Sequence, residues 1–208
     1  MRMPHLKKPV LPRTLAACLM TLGLLAGTPQ ISGATALTVE EYAQLPAGSF
    51  PVGLRAGPEG ALWLSVLNAS GDQIASLLPS ETKPGLIPLG SGPKRPFDLA
   101  VGPDGQIWFT EQEGNAIGTI DSAGKLIEIP LPEASGYPAQ LTLGQDGGLW
   151  FTEFDGNAIG RLSPEGEFSE CPLPGVDSQP LAIATAKHGD LWFTEWNGRK
   201  IGRLTPDG

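Results

Sequence analysis

The sequence predicts an all-β fold built from four stacked copies of one four-stranded unit, and three observations carry the prediction. A tryptophan-centred segment recurs: Leu62-Trp63-Leu64, Ile107-Trp108-Phe109-Thr110-Glu111, Leu149-Trp150-Phe151-Thr152-Glu153 and Leu191-Trp192-Phe193-Thr194-Glu195, in steps of 45, 42 and 42 residues from tryptophan to tryptophan. Proline and glycine punctuate each copy at matching places. No stretch after the leader keeps a 3.6-residue period long enough for a helix, and prolines interrupt every candidate. A unit of roughly 40 to 45 residues holding several short strands is the size of one propeller blade, a small sheet that cannot bury its own faces and must stack on neighbours.

The elements run in order within each copy. A proline opens the unit (Pro51, Pro96, Pro138, Pro180) and a short apolar run succeeds it, as at 97–101 and 141–143. A tight turn comes next: Gly57-Pro58-Glu59-Gly60, Gly102-Pro103-Asp104-Gly105 and Gly144-Gln145-Asp146-Gly147 have the composition of a hairpin loop with positive-φ glycine. The fourth copy, Ala186-Lys187-His188-Gly189, departs from that composition. The tryptophan strand, a Gly-Asn loop (Gly114-Asn115, Gly156-Asn157) and a third strand (117–120, 159–162, 201–204) come after it. A second turn (Ser122-Ala123-Gly124, Pro164-Glu165-Gly166) leads to an outer strand at 125–129 or 167–171, ending in Pro-Leu-Pro. The blades fall at about 51–90, 96–132, 138–174 and 180–208, the last incomplete.

The first 36 residues differ in kind. Arg2, Lys7, Lys8 and Arg13 precede an apolar run at 15–26, and Ala34-Thr35-Ala36 offers small residues for cleavage, the pattern of a secretory signal peptide cut after Ala36. The run is too short to span a bilayer. Leu15-Ala16-Ala17-Cys18 also fits a lipoprotein box, but Arg13 interrupts the apolar stretch that should precede it. A secreted or periplasmic address is expected. Cleavage removes four of 14 basic groups and none of 22 acidic ones, leaving −12, a balance that excludes partners recognised through basic patches, namely nucleic acid and anionic membrane. With Cys18 gone, Cys171 stands alone, so cohesion must come from stacked sheets rather than disulfides.

A propeller closes when an N-terminal strand completes the last blade and leaves no sheet edge to pair with strangers. Residues 37–45 resemble the outer strand at 125–129 and are the expected closing strand. The chain ends on Thr205-Pro206-Asp207-Gly208, the turn that elsewhere introduces an outer strand. Two arrangements are open: a four-bladed ring closed by 37–45, or four blades of a longer ring. Bulky Trp-Phe strands suit rings of six to eight, which favours the second and leaves open edges through which copies could self-associate.

The repeat Gly-Pro-Asp-Gly-x-Ile/Leu-Trp-Phe-Thr-Glu-x-x-Gly-Asn-x-Ile-Gly-Arg/Thr-Ile/Leu, with Pro-Leu-Pro between units, resembles the virginiamycin B lyase (streptogramin B lyase) family over nearly the whole chain after the leader. The resemblance implies a seven-bladed propeller and a magnesium-dependent carbon–oxygen lyase that linearises cyclic depsipeptide antibiotics by elimination. Such a reaction needs a base to remove a proton beside a carbonyl and a cation to steady the developing charge. The resemblance places the base on a histidine just after a blade's opening proline, with a glutamate 14 positions on. The histidine positions here are Val52, Phe97, Ala139 and Leu181, and the glutamate positions are Val66, Glu111, Glu153 and Glu195. Three glutamates match and no histidine does, so the chain is expected to be inactive by itself. The alternative is a secreted, non-catalytic propeller that binds a glycan, peptide or protein.

Glu111, Glu153 and Glu195 end their strands at one face of the ring, where carboxylates could hold Mg²⁺ or Ca²⁺ through oxygen, or could instead cap their own blades. Asn115 and Asn157 are ligand-binding candidates, with left-handed loop geometry as the structural reading. Trp196, in the loop after Glu195, could stack on a ligand or on a next blade. The four repeated tryptophans are expected to pack between sheets. His188, the one histidine outside the leader, is expected on a surface turn, and Arg161 and Arg203 are expected to meet acidic neighbours.

Overall fold

The computed structural model describes residues 41–103, 105–121, 123–132 and 136–205. The signal peptide with its cleavage site, His5, Cys18 and residues 37–40 lie outside the described residues, as do Asp104, Ser122 and the terminal Pro206-Asp207-Gly208.

Among the described residues, fifteen strands form four antiparallel sheets: β1 Ser49–Ala56, β2 Leu62–Asn68, β3 Gln73–Leu77 and β4 Gly85–Pro88; β5 Pro96–Val101, β6 Ile107–Glu111, β7 Ala116–Ile120 and β8 Leu126–Pro130; β9 Pro138–Leu143, β10 Leu149–Glu153, β11 Ala158–Leu162 and β12 Phe168–Pro172; β13 Pro180–Thr185, β14 Leu191–Glu195 and β15 Lys200–Leu204. Within each sheet the strands lie in chain order, as in a meander. Among the described residues the one helical element is a single 3₁₀ turn at Pro58–Gly60. The all-β prediction holds, and the blades are those of a propeller.

The first strands of successive blades pack side by side, β1 on β5, β5 on β9 and β9 on β13. Three apolar seams result. Ile74 and Leu89 of blade 1 meet Leu99, Ile107, Phe109 and Ile120 of blade 2. Ile117 and Leu131 of blade 2 meet Leu141, Phe151 and Leu162 of blade 3, and Ile159 of blade 3 meets Ile183 and Phe193 of blade 4. Period-2 alternation explains the division of labour on the tryptophan strand: Phe109, Phe151 and Phe193 face the preceding blade, whereas Trp63, Trp108 and Trp150 pack forward on the next seam. The third strand must let each phenylalanine ring lie flat, and a Cβ at Gly118, Gly160 or Gly202 would overlap that ring, which is why the third strands read Ile-Gly-Thr/Arg.

Polar stitches cross the same seams. Ser65 Oγ accepts from Gly53 N (2.8 Å) and donates to Phe97 O (2.8 Å) in the next blade. Thr110 Oγ1 accepts from Asp98 N (3.1 Å) and donates to Ala139 O (2.7 Å); Thr152 Oγ1 accepts from Gln140 N (3.1 Å) and donates to Leu181 O (2.8 Å). Each hydroxyl therefore saturates one inner strand and ties it to the following one, in a buried setting where an unmade bond costs most.

One expectation changes, and one irregular turn keeps its form. Residues 41–46 form no strand, and Tyr42 Oη donates to Pro79 O (2.8 Å) in blade 1, so the described part of the expected closing strand does not extend the fourth sheet, which has three strands among the described residues. The altered fourth turn keeps its shape: Ala186 N donates to Asp190 O (2.8 Å) and Gly189 N to Ala186 O (2.9 Å), just as Gly144 N donates to Gly148 O and Gly147 N to Gly144 O. Only the last glycine needs a left-handed backbone (φ 76° at Gly147, 91° at Gly189), whereas Gly57 and Gly144 at the first position lie too close to Trp63 and Trp150 for a Cβ.

Candidate functional site

The face with the glutamates is assembled by one repeated device. A linker residue just before the opening proline, Arg95, Tyr137 or Gln179, takes a left-handed backbone with φ of 52°, 51° and 53°. This geometry is disfavoured for a non-glycine residue and again for one preceding proline. It aims the linker carbonyls at the loop after each glutamate: Gln112 N donates to Arg95 O, Phe154 N to Tyr137 O and Trp196 N to Gln179 O, at 2.9–3.1 Å. The next two amides of each loop bond to Lys94 O, Gly136 O and Ser178 O. Three non-glycine residues held in a sparsely populated region at one face mark it as the over-determined part of the fold.

Each glutamate sits inside that device. Glu111, Glu153 and Glu195 are 0%, 1% and 9% exposed. They fold under their own loop glycines, Gly114, Gly156 and Gly198, where an added Cβ would press on the carboxylate. Glu153 also faces Gly136 of the preceding linker. Among the described residues no three His, Cys, Asp or Glu side chains gather to hold a metal. The three glutamates thus occupy separate sockets, one per blade, and their arrangement does not fit a shared divalent cation.

Glu111 has the most marked chemistry. Lys94 Nζ lies 3.4 Å from its Oε2 and pairs also with Glu128 on β8. Burial, reinforced by the Glu128 charge and only partly opposed by the Lys94 ammonium, pushes the Glu111 carboxyl up to about 7. A carboxyl titrating near neutrality can exchange a proton, but this one has no exposed surface to present to a ligand.

Asn115 and Asn157 serve the scaffold. Asn115 and Asn157 have φ of 48° and 55°. Asn157 Oδ1 accepts from Ser178 N (2.6 Å) while its Nδ2 donates to Gly175 O (2.7 Å); Asn115 Oδ1 accepts from Tyr137 N (3.3 Å). Asp72 does the same work in blade 1, accepting from Arg95 N (2.7 Å). Each side chain pins the linker to the next blade. Trp196 is 68% exposed, whereas Phe154 in the equivalent position packs on Tyr137 with ring centroids 6.4 Å apart. His188 is exposed on its turn. Arg161 and Arg203 do meet acids, Asp146 and Asp190, each within its own blade.

Sequence reasoning missed Asp98. This carboxylate on inner strand β5 is buried, pairs with Arg55 of β1 at 2.8 Å and accepts from Leu141 N of β9 at 3.3 Å, so it ties three inner strands together. Burial raises its pKa against the pull of Arg55. A charge inside the apolar run 97–101 was the available signal. Lys94 and Glu128 gave none, because they meet only in space.

The positions that the resemblance assigns to histidine carry no imidazole. Ala139 is fully buried, Phe97 and Leu181 are half-buried, and Val52 is exposed. Their backbones are nonetheless fixed, since the carbonyls of Phe97, Ala139 and Leu181 are those held by the seam hydroxyls.

Comparison with known proteins gives the same frame. A streptogramin B lyase structure is 39% identical, covers 76% of this chain and 52% of its own, and superposes with a TM-score of 0.71. A catalytically inactive histidine-to-alanine variant of virginiamycin B lyase from Staphylococcus aureus, with quinupristin, is 37% identical over 76% of this chain and 53% of its own (TM-score 0.70). Selenomethionine-substituted virginiamycin B lyase from Staphylococcus aureus is 31% identical over 76% of this chain and 67% of its own (TM-score 0.65). The chain spans about half the length of the first two. No curated protein matches it. The virginiamycin B lyase family model matches residues 30–208, and the chain belongs to that family.

Proposed function

We propose that this chain is an exported arc of a lyase-type propeller that supplies scaffold and linker geometry but not the proton-abstracting base, so that alone it does not open a streptogramin B ring. The observation that carries the reading is the identity of the four blade-opening positions. Val52, Phe97, Ala139 and Leu181 stand where elimination would need an imidazole, 14 residues before Val66, Glu111, Glu153 and Glu195. None of the four side chains can accept a proton. The burial of the glutamates supports it, because a carboxylate folded under its own loop cannot take a proton from a substrate or hold a cation beside its carbonyl. No magnesium-dependent step is assigned to these residues, since their separate sockets do not fit the ion.

The same residues suit a non-catalytic binding propeller, and the exposed Trp196 on the linker face favours that second reading. One experiment addresses both. Purified chain is incubated with quinupristin and Mg²⁺, and the linearised product is followed by mass spectrometry. No ring opening is expected; turnover that scales with protein concentration overturns the proposal. Quenching of Trp196 fluorescence by intact quinupristin, absent in Trp196→Ala, would place the chain with binding modules.

A further inference from the structure

The opposite face of the blades, where the tight turns lie, repeats a second arrangement in blades 3 and 4, and blades 1 and 2 leave it incomplete: Ser76 stands opposite Trp63 and Thr119 opposite Trp108. In blade 3 the Arg161 guanidinium lies over the Trp150 ring, 5.5 Å from its centroid, and its Nε donates to Asp146 Oδ2 at 2.7 Å. The Trp150 indole N–H donates to the other oxygen of the same carboxylate at 3.2 Å. Against the effect of burial, these donors hold Asp146 below the usual carboxylate range. Blade 4 repeats the stack with Arg203 over Trp192 at 5.8 Å, paired to Asp190 at 2.8 Å. Asp146 stands four residues before its tryptophan and Asp190 two, so the two blades reach one combination of indole, guanidinium and carboxylate from different turn positions. Sequence duplication alone would not produce that. The combination answers a physical need, because the outer part of the indole is left at the surface and a cation over its face is attracted to the ring.

Blade 1 has the ring and the carboxylate without the guanidinium. Trp63 pairs across the sheet with Ser76 as Trp150 pairs with Arg161. Glu59 stands four residues before Trp63, as Asp146 does before Trp150. The Trp63 Nε1 is buried and meets no acceptor among the described residues. In place of the missing side chain a cleft of about 490 Å³ opens between blades 1 and 2, lined by Glu59, Trp63, Ser76 and, further in, Leu78, Ile107 and Ile120. The cleft between blades 2 and 3, where Thr119 stands opposite Trp108, is about 350 Å³, and the pocket that Arg161 lines beside Trp150 is about 150 Å³.

We propose that this cleft binds the arginine side chain of a peptide, with the guanidinium stacked on Trp63 and paired with Glu59, and with the methylenes and a neighbouring apolar residue against Leu78, Ile107 and Ile120. The fold itself demonstrates the occupant twice, in blades 3 and 4. The volume exceeds what a bare guanidinium fills, and its inner wall is apolar, which selects a longer ligand over a small cation. Asp121 at the rim adds a second acidic group, and the chain's formal net charge of −8 favours the approach of a cationic peptide. An arginine is preferred to a lysine because the planar fork can stack and pair at once.

The test is isothermal titration of the full chain with acetyl-Arg-Leu-amide, acetyl-Lys-Leu-amide and acetyl-citrulline-Leu-amide. The arginine peptide is expected to bind saturably, the lysine peptide about tenfold more weakly, and the neutral citrulline peptide not at all. Ser76→Arg, which supplies the guanidinium from within, is expected to abolish binding and raise the thermal midpoint. Glu59→Gln, on an exposed turn that does not threaten folding, is expected to weaken binding about tenfold. Absence of saturable binding, equal binding of the citrulline peptide, or unchanged affinity in Glu59→Gln overturns the proposal. So does a folded Ser76→Arg that binds like the parent.

Discussion

Residues 149–153 and 191–195 spell the same pentapeptide, Leu-Trp-Phe-Thr-Glu, and pair with their neighbours in matching register, yet they end in different surroundings. In β10 the backward-facing Leu149, Phe151 and Glu153 are buried, and so is forward-facing Thr152, with Trp150 half-covered. In β14 the backward face is buried as before, but Trp192 and Thr194 are exposed. The adjoining sheet makes the difference. Blade 4 covers the forward face of blade 3, and among the described residues nothing covers that of blade 4. Thr152 spends its hydroxyl proton on Leu181 O, while Thr194 accepts from Ala182 N without a next inner strand to donate to. Identical local sequence therefore fixes the sheet and its pleat, and stacking decides which face becomes interior.

That comparison can be broken by substitution. Trp150→Ala should cost about 3–4 kcal/mol of unfolding free energy, because it empties the seam against blade 4 and removes the stack with Arg161. Trp192→Ala should cost about 1 kcal/mol, as its ring is 44% exposed. Urea denaturation monitored by circular dichroism reads both; equal losses would mean that the two forward faces are equally covered in solution. Phe151→Ala and Phe193→Ala serve as the control and should differ little, since both rings face a preceding blade.

A smaller contrast is expected at the threonines. Thr152→Val keeps the shape but leaves Gln140 N and Leu181 O without their partner inside the seam, at a cost of about 2–3 kcal/mol. Thr194→Val removes one bond at an exposed position and should cost under about 1 kcal/mol. Similar denaturation midpoints for the two variants would remove the hydroxyl stitch as a source of cohesion between blades.

The pH dependence sharpens the picture at the linker face. Glu111 is raised from its ordinary 4.5 to about 7 in the folded chain. Its contribution to stability is therefore full below pH 4.5 and lost as the pH rises through 7, where the buried carboxyl must ionise. The loss is on the order of 3 kcal/mol. Glu111→Gln should flatten the fall in stability between pH 4.5 and pH 8, read from urea midpoints at the two pH values. An unchanged slope would show that Lys94 compensates the charge fully.

Much of the fold was legible because propeller repeats write their geometry into local chemistry. Opening prolines, positive-φ glycines and period-2 alternation located the second, third and outer strands of blades 2 and 3 and the second and third of blade 4 to within about a residue, whereas β9 begins at Pro138, three residues before the run expected at 141–143. Even the altered turn at Ala186 folds as the turn at Gly144 does, because Gly189 alone bears the backbone constraint. The site was less legible. The three glutamates were correctly placed at one end of their strands, but whether carboxylates converge or sink into separate sockets depends on linker carbonyls and loop glycines from other parts of the repeat. Lys94, Glu128 and Asp98 act through partners 17 to 43 residues away, and no local pattern encodes such pairs.

The sequence by itself determined the strands, their order and the composition of each face, because turn chemistry and alternation work at short range. Tertiary structure alone decided which tryptophan is sheltered and which hydroxyl crosses a seam. Those outcomes depend on the adjoining blade, whose distance in the chain is about 40 residues but whose distance in space is a single layer of side chains.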